Sequence, residues 1–162
     1  MSSEADRLKV AQWILDKNLT WIAAADSKVG FIVGVNTAML GGLAAAVSKA
    51  THLTAWPTVF LLLATGAETV AILCAATAVL PRVDGPKRSF VFFGKIAEFD
   101  RAEYQERIRR CSDSDLLDDI AAQIHRNAEI ATHKHGLVRK ALWWSFLSGL
   151  PWIVAVAMLV KP

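Results

Sequence analysis

Three long apolar blocks interrupt an otherwise charged chain. Residues 29–47 hold no charged side chain, residues 57–80 hold one, Glu68, and residues 141–160 hold none. About 20 apolar residues in a helix cross a hydrocarbon core about 30 Å thick, so each block predicts a transmembrane helix. Helices are expected because a lone segment in lipid must satisfy its own backbone hydrogen bonds. Ahead of the first block, residues 4–28 contain neither Pro nor Gly, and Leu8, Gln12, Leu15, Leu19 and Ile22 recur at spacings of three and four. That pattern predicts an amphipathic helix running straight into the membrane. A second such helix precedes the third block, with Leu117, Ile120, Ile124, Ala128, Ala131, His135, Val138 and Leu142 on its stripe. Ser112 or Ser114 would cap it, and Asp113, Asp115, Asp118 and Asp119 suit its positive end. Continued to Pro151, it would be about 55 Å long.

Two long helices, each with one apolar stripe and each fused to a span, are expected to pack together, or against copies from other subunits, as a stalk. Between them Pro81, Gly85 and Pro86 break the chain, and the aromatic run SFVFFG at 89–94 has no span to belong to. Residues 95–110 predict a further helix, with Ile96, Phe99, Ala102 and Ile108 roughly on one side. The expected organisation is an amphipathic helix at 1–28, spans at 29–47, 57–80 and 141–160, and a helical region at 81–140. The fold class is an all-α membrane protein with three transmembrane helices.

Charge orients this plan. Of the 18 Lys and Arg residues, four lie in the N-terminal segment and twelve in residues 81–140, while Lys49 and Lys161 alone fall on the other side. The positive-inside rule therefore puts the N-terminus and residues 81–140 in the cytoplasm and the C-terminus outside. Trp56 near the outer start of the second span, and Trp143 and Trp144 near the inner start of the third, fit interfacial belts. The first 28 residues mix four acids with four bases and lack an apolar core, so no cleavable signal peptide is expected and the first span would act as an uncleaved anchor. Cys74 and Cys111 make neither a disulfide framework nor a zinc spacing. The net charge of +3 follows from topology and does not argue for nucleic acid.

Catalytic patterns are sparse: no nucleophile elbow, Gly-rich phosphate loop or recognisable acid pair occurs. His125, Glu129 and His133 recur every four residues and are the best metal candidates, yet Arg126 beside them opposes a cation, and a solvated helix face explains them as well. Glu68 stands out because a carboxylate inside a span costs about 2.5–3.5 kcal/mol on insertion scales. It should face protein, water or a partner, and Asn36 and Ser148 are the polar residues available to meet it. Asp26 and Lys28 sit where the first helix meets the membrane and read most simply as anchors. Lys87, Arg88, Arg107, Arg109 and Arg110 could hold a phosphate or meet lipid headgroups.

Several pieces become informative together: WIAAADSKVG at 21–30, Asn36, Pro81-Arg82, FFGKIA at 92–97, Tyr104, and the run Leu116, Asp119, Gln123, Ile124, Ala128, Ile130, Lys134, Leu137, Ala141. In order and spacing they resemble the transmembrane effector family of the Pycsar anti-phage systems, over nearly the whole chain. One departure is His135, where the family pattern often has Tyr. The resemblance implies a bacterial inner-membrane protein that responds to a cyclic pyrimidine mononucleotide, cCMP or cUMP, made by a cognate cyclase, and that impairs the membrane so that infection aborts. It implies no enzyme chemistry, and no cofactor is expected. Carried over by position, Trp21, Asp26, Lys28, Phe92, Phe93, Gly94, Gln123, Arg126 and Lys134 are the candidate ligand-binding residues. A cation among Lys28, Arg126 and Lys134 would meet the phosphate, Phe92 or Phe93 would stack on the base, and Gln123 or Asp26 would read its edge. In the competing reading Asp26 and Lys28 pair with Gln123 and Lys134 to fix the helices, and the phenylalanines cover an apolar seam. So short a cytoplasmic portion buries little surface, so sites shared in a homo-oligomer are expected. A ligand-independent scaffold or small channel subunit is the alternative function.

Overall fold

A computed structural model describes residues 3–50, 52–81, 84–87 and 89–160. Arg82, Arg88 and Lys161, which entered the charge and resemblance arguments, lie outside the described residues. All regular structure among the described residues is helical: α1 Glu4–Lys49, α2 Ala55–Val79, α3 Phe93–Ile96, α4 Arg101–Arg110 and α5 Asp113–Leu159. The long helices α1 and α5, together with α2, are long and apolar enough to cross a membrane.

Local chemistry explains the helix boundaries. At the start of α1, the Ser3 N–H donates to Asp6 Oδ2 and the Asp6 N–H donates to Ser3 Oγ, both at 3.2 Å, a reciprocal cap on free N–H groups. Ser112 and Asp115 repeat it on α5, at 3.0 and 3.1 Å, with the Ser112 hydroxyl donating to the same carboxylate at 2.6 Å. These bonds from Ser112, side chain first and then backbone, hold the Asp115 carboxyl below its ordinary range. The single helix expected over 95–110 is instead two. Asp100, extended at φ −64° and ψ 148°, opens α4 after α3 has closed, without a side-chain capping hydrogen bond; its charge suits the positive end of the helix. α5 runs through Pro151 to Leu159, which includes the expected third span, and is about 70 Å long at 1.5 Å per residue. The ring removes one backbone donor there.

The chain divides into two units, Met1–Ala24 with Pro81–His133 and Ala25–Leu80 with Lys134–Pro162. The first is rich in charge and the second carries the apolar blocks. In the charged unit the inward face of α1 is rotated from the expected stripe. Gln12 and Leu19 are exposed, while Ala11 and Asn18 are buried. Asn18 Nδ2 donates to the Ile124 carbonyl at 3.4 Å, and the small Ala11 lets a neighbouring helix come close. The buried positions Ala11, Asn18, Ala25 and Ile32 of α1 recur every seven residues, the period of long paired helices. On α5, Ile120, Ala131 and Val138 of the expected stripe are buried.

The apolar unit is built inside out relative to a soluble domain. Its large apolar side chains point outward, with Phe31, Trp143, Phe146 and Leu150 at least 70% exposed, whereas Asn36, Glu68 and Ser148 are wholly buried. Lipid is the solvent such a surface suits. Packing relies on small residues: α2 buries Ala64, Ala67, Ala71, Ala75 and Ala78 along one stripe, which permits close helix approach where no hydrophobic force acts between spans. Two clusters result, one joining Ala25, Val29 and Ile32 to Ala75, Ala78, Val138 and Ala141, the other joining Leu43, Ala64 and Ala155. By contrast, a Cβ added at Gly30 or Gly34 would meet nothing within 4 Å. That glycine pattern therefore faces outward and makes no contact within the subunit.

Candidate functional site

The aromatic run that hydropathy left unassigned is fastened to α5. Asp119 Oδ2 accepts hydrogen bonds from the Ser89 hydroxyl at 3.0 Å, the Phe90 N–H at 2.6 Å and the Val91 N–H at 3.1 Å. Ser89 Oγ in turn accepts from the Val91 and Phe92 N–H groups at 3.1 and 2.9 Å and from Gln123 Nε2 at 3.0 Å. Ser89 and Gln123 are buried. A charged acceptor shared by successive N–H groups makes strong hydrogen bonds, so residues 89–92 are clamped to the helix that carries Asp119 and Gln123. Phe92 then folds back so that a Cβ on Gly85 would lie 2.1 Å from its ring and one on Gly94 2.8 Å. Only glycine fits at these two places. Phe93 stays 66% exposed beside Phe92, with ring centroids 4.8 Å apart.

Around this loop Arg107, Arg110 and Arg126 have partners. The Arg107 guanidinium lies 4.8 Å from the Phe90 ring and 4.3 Å from the Phe99 ring, an arrangement that favours a cation between aromatic faces. Phe99 stacks on Tyr104 at 6.4 Å, and the Tyr104 hydroxyl donates to the Phe90 carbonyl at 2.9 Å. Arg110 pairs with Glu106 at 2.5 Å. A cleft of about 400 Å³ opens here, lined in part by Phe90, Arg107, Arg110, Glu103, Glu106 and Asp115. Its three carboxylates against two guanidiniums disfavour an anion. At its edge, burial pushes the Cys111 thiol up, with Asp115, Asp119 and Asp113 adding to the shift and Arg107 opposing it. Arg126 donates to the Asp84 carbonyl at 3.0 Å and to Glu129 at 2.9 Å, which ties α5 to the start of the same loop.

Candidate residues of the charged unit thus separate into two groups. Phe92, Gly94, Gln123 and Arg126 belong to the clamped loop and its anchor, while Phe93 and Trp21 offer exposed rings. Within the apolar unit, Lys134 Nζ lies 2.5 Å from Asp26 Oδ1, so these two neutralise one another. Gln123 does not join them: its amide goes to Ser89. Lys28 is exposed. On α5 His125 faces Glu129 at 3.7 Å and Arg126 shares that carboxylate. Among the described residues no three His, Cys, Asp or Glu side chains gather as a metal site.

Asn36 and Ser148 do not meet Glu68 as expected. Asn36 Nδ2 donates to Ser145 Oγ at 2.7 Å and to the Ile32 carbonyl at 2.8 Å, and the Ser148 hydroxyl donates to the Ser145 carbonyl at 2.8 Å. Helical serines and asparagines readily find carbonyls one turn back, which leaves neither side chain a donor for the carboxylate. Sequence reasoning missed Ser89, Asp119 as a clamp, Asn18 and Ser145. A signal existed for Ser89, since a serine hydroxyl in a turn-forming stretch accepts from backbone N–H groups a few residues on, as it does here from Val91 and Phe92.

Three spanning-length helices with polar groups inside and large apolar groups outside, carried with a charged helical unit, define a multi-pass helical membrane protein. The chain matches the Pycsar effector protein domain over residues 10–161 and belongs to that family. No curated protein and no solved structure matches it. Family membership supports an anti-phage effector role and implies a cyclic-nucleotide signal made by a cyclase.

Proposed function

We propose that this effector senses a cyclic pyrimidine mononucleotide, cCMP or cUMP, in the cytoplasm and impairs the bacterial inner membrane, without enzyme chemistry of its own. The observation that carries the reading is the clamp of residues 89–92 on Asp119 and Gln123 of α5. That helix continues unbroken into a spanning segment. A ligand that engages the loop acts directly on a helix that also crosses the membrane. Phe93 presents an open ring for a base, and Arg126, tied to the same loop through Asp84, would meet a phosphate by exchanging its Glu129 partner. The distribution of Lys and Arg supports a cytoplasmic N-terminus and a cytoplasmic region at 81–140. Homo-oligomeric stalks sharing the ligand follow from the small size of that region. Binding shifts the spans only by its differential affinity for two arrangements.

Titrating the purified full-length protein with cCMP, cUMP, cAMP and cGMP tests this. One pyrimidine nucleotide should raise the unfolding temperature, by about 2.7 kcal/mol of stabilisation at a hundredfold excess over the dissociation constant, and Phe93→Ala should weaken the effect. Absence of any selective stabilisation sinks the proposal and favours a ligand-independent scaffold or small channel subunit. The mutual pairing of Asp26 and Lys134 already favours a structural role for those two residues.

A further inference from the structure

Between its two packed clusters the apolar unit carries a polar layer in which the side-chain donors are spent and the acceptors are not. On α1 the buried residue between Ile32 and Leu43 is Asn36; on α2, between Ala64 and Ala75, they are Ala67, Glu68 and Ala71; on α5, between Ala141 and Ala155, it is Ser148. Both hydrogens of Asn36 Nδ2 are used, on the Ile32 carbonyl and Ser145 Oγ. The Ser145 hydroxyl goes to the Ala141 carbonyl at 2.9 Å and the Ser148 hydroxyl to the Ser145 carbonyl at 2.8 Å. Asn36 Oδ1, Glu68 Oε1 and Glu68 Oε2 remain, all buried and without a partner among the described residues. No protein charge faces them: α1 from Val29 to Ser48 and α5 from Ala141 to Leu159 contain no Asp, Glu, His, Lys or Arg, and Glu68 is the one such residue of α2.

Buried acceptors without donors cost about 1–3 kcal/mol each, more when charged, so this layer is built for an occupant that brings positive charge or hydrogens. We infer that Glu68 and the Asn36 carboxamide oxygen form an intramembrane site for one small monovalent cation, Na+ or a proton. An anion is excluded by the carboxylate. A divalent ion would leave an excess positive charge in a unit whose spans hold no second acid. Hard cations take oxygen ligands, and Ser148 Oγ adds a further oxygen in the same layer. An ionisable group inside a span commonly marks an ion or proton site. This inference is independent of nucleotide sensing.

The test is thermal unfolding of the full-length protein in lipid nanodiscs, for wild type, Glu68→Gln and Glu68→Asp. In one arm, at fixed neutral pH, choline chloride is replaced by NaCl at constant ionic strength, with KCl as control. In the other, choline is kept and the pH is lowered. Wild type should gain about 3–6 °C at a tenfold excess of the bound cation over its dissociation constant. A gain in the Na+ arm identifies Na+, and a gain in the acid arm alone identifies the proton. Glu68→Gln removes the charge and supplies an amide donor, so it should gain stability in neither arm. Should Glu68→Gln fail to fold, Glu68→Asp should require at least tenfold more cation for the same gain. A wild type flat in both arms, or variants that respond as wild type does, overturns the site.

Discussion

Replacing Asp119 by Ala should release the aromatic loop without unfolding the helix beneath it. The carboxylate accepts three hydrogen bonds on one oxygen, from Ser89, Phe90 and Val91. Bonds to a charged acceptor contribute about 1.5–3 kcal/mol each in isolation, but three donors crowd one oxygen. The Val91 N–H also keeps Ser89 Oγ as a partner, and Val91 is exposed enough for water to substitute. A local cost of about 3 kcal/mol is therefore expected, roughly a hundredfold in the opening equilibrium. Hydrogen exchange followed by mass spectrometry on the nanodisc-embedded protein reads this directly. Amides of residues 90–97 should exchange about a hundredfold faster, while a peptide from α2 should not change. Asp119→Asn, which retains a neutral carbonyl acceptor, should fall between, near tenfold. Loop exchange within threefold of wild type, with α5 intact, would show that the carboxylate does not hold the loop. Equal acceleration in every peptide would show that the effect is global and refute the local argument.

Three further outcomes test other parts of the structure. Gly34→Leu places a side chain where nothing lies within 4 Å, so helix content should be unchanged and the oligomer size in detergent should alter; an unchanged size by light scattering counts against a subunit contact on that face. Lys134→Met keeps the buried stem but leaves Asp26 alone; because Asp26 is 41% exposed, the cost should be about 1–2 kcal/mol, and a cycle with Asp26→Asn that proves additive to within about 0.3 kcal/mol would deny the coupling. Asp115, held below its ordinary value of 3.8 by Ser112, favours the folded helix start above that value, and this contribution is lost as pH falls through the lowered native value. Fraying of residues 113–117 on acidification below that value should disappear in Ser112→Ala, which should fray already at neutral pH; identical acid profiles in the two proteins would remove the capping argument.

Asp119 and Glu68 mark the limit of what could be read from the chain. Asp119 was legible as an acid suited to a helix start, yet its partner Ser89 lies 30 residues away. Glu68 is legible as a carboxylate that has to be sheltered, yet the sequence offers Asn36 and Ser148 as its partners only because polarity gives no direction within a helix. The stripe of α1 held only in part, with Leu8, Leu15 and Ile22 half-buried but Gln12 and Leu19 exposed, for a related reason. Apolar size pointed to Leu19, whereas the seam uses Ala11 and Asn18, since close helix approach selects small residues and one directed hydrogen bond over bulk.

By itself the sequence determined the three spanning-length helices, the helical class, the asymmetry of charge and a serine cap, on Ser112 or Ser114, ahead of α5. Each follows from physics internal to one segment: backbone hydrogen bonds closed within a helix, apolar length against lipid thickness, and a serine reaching its own next turn. Tertiary structure alone decided which face of each helix turns inward, that Gly30 and Gly34 face out while the alanines of α2 pack, that Asp26 takes Lys134, and that three oxygens around Glu68 and Asn36 go without donors. Those choices depend on the register between segments far apart in the chain. No period or composition within one segment encodes that register.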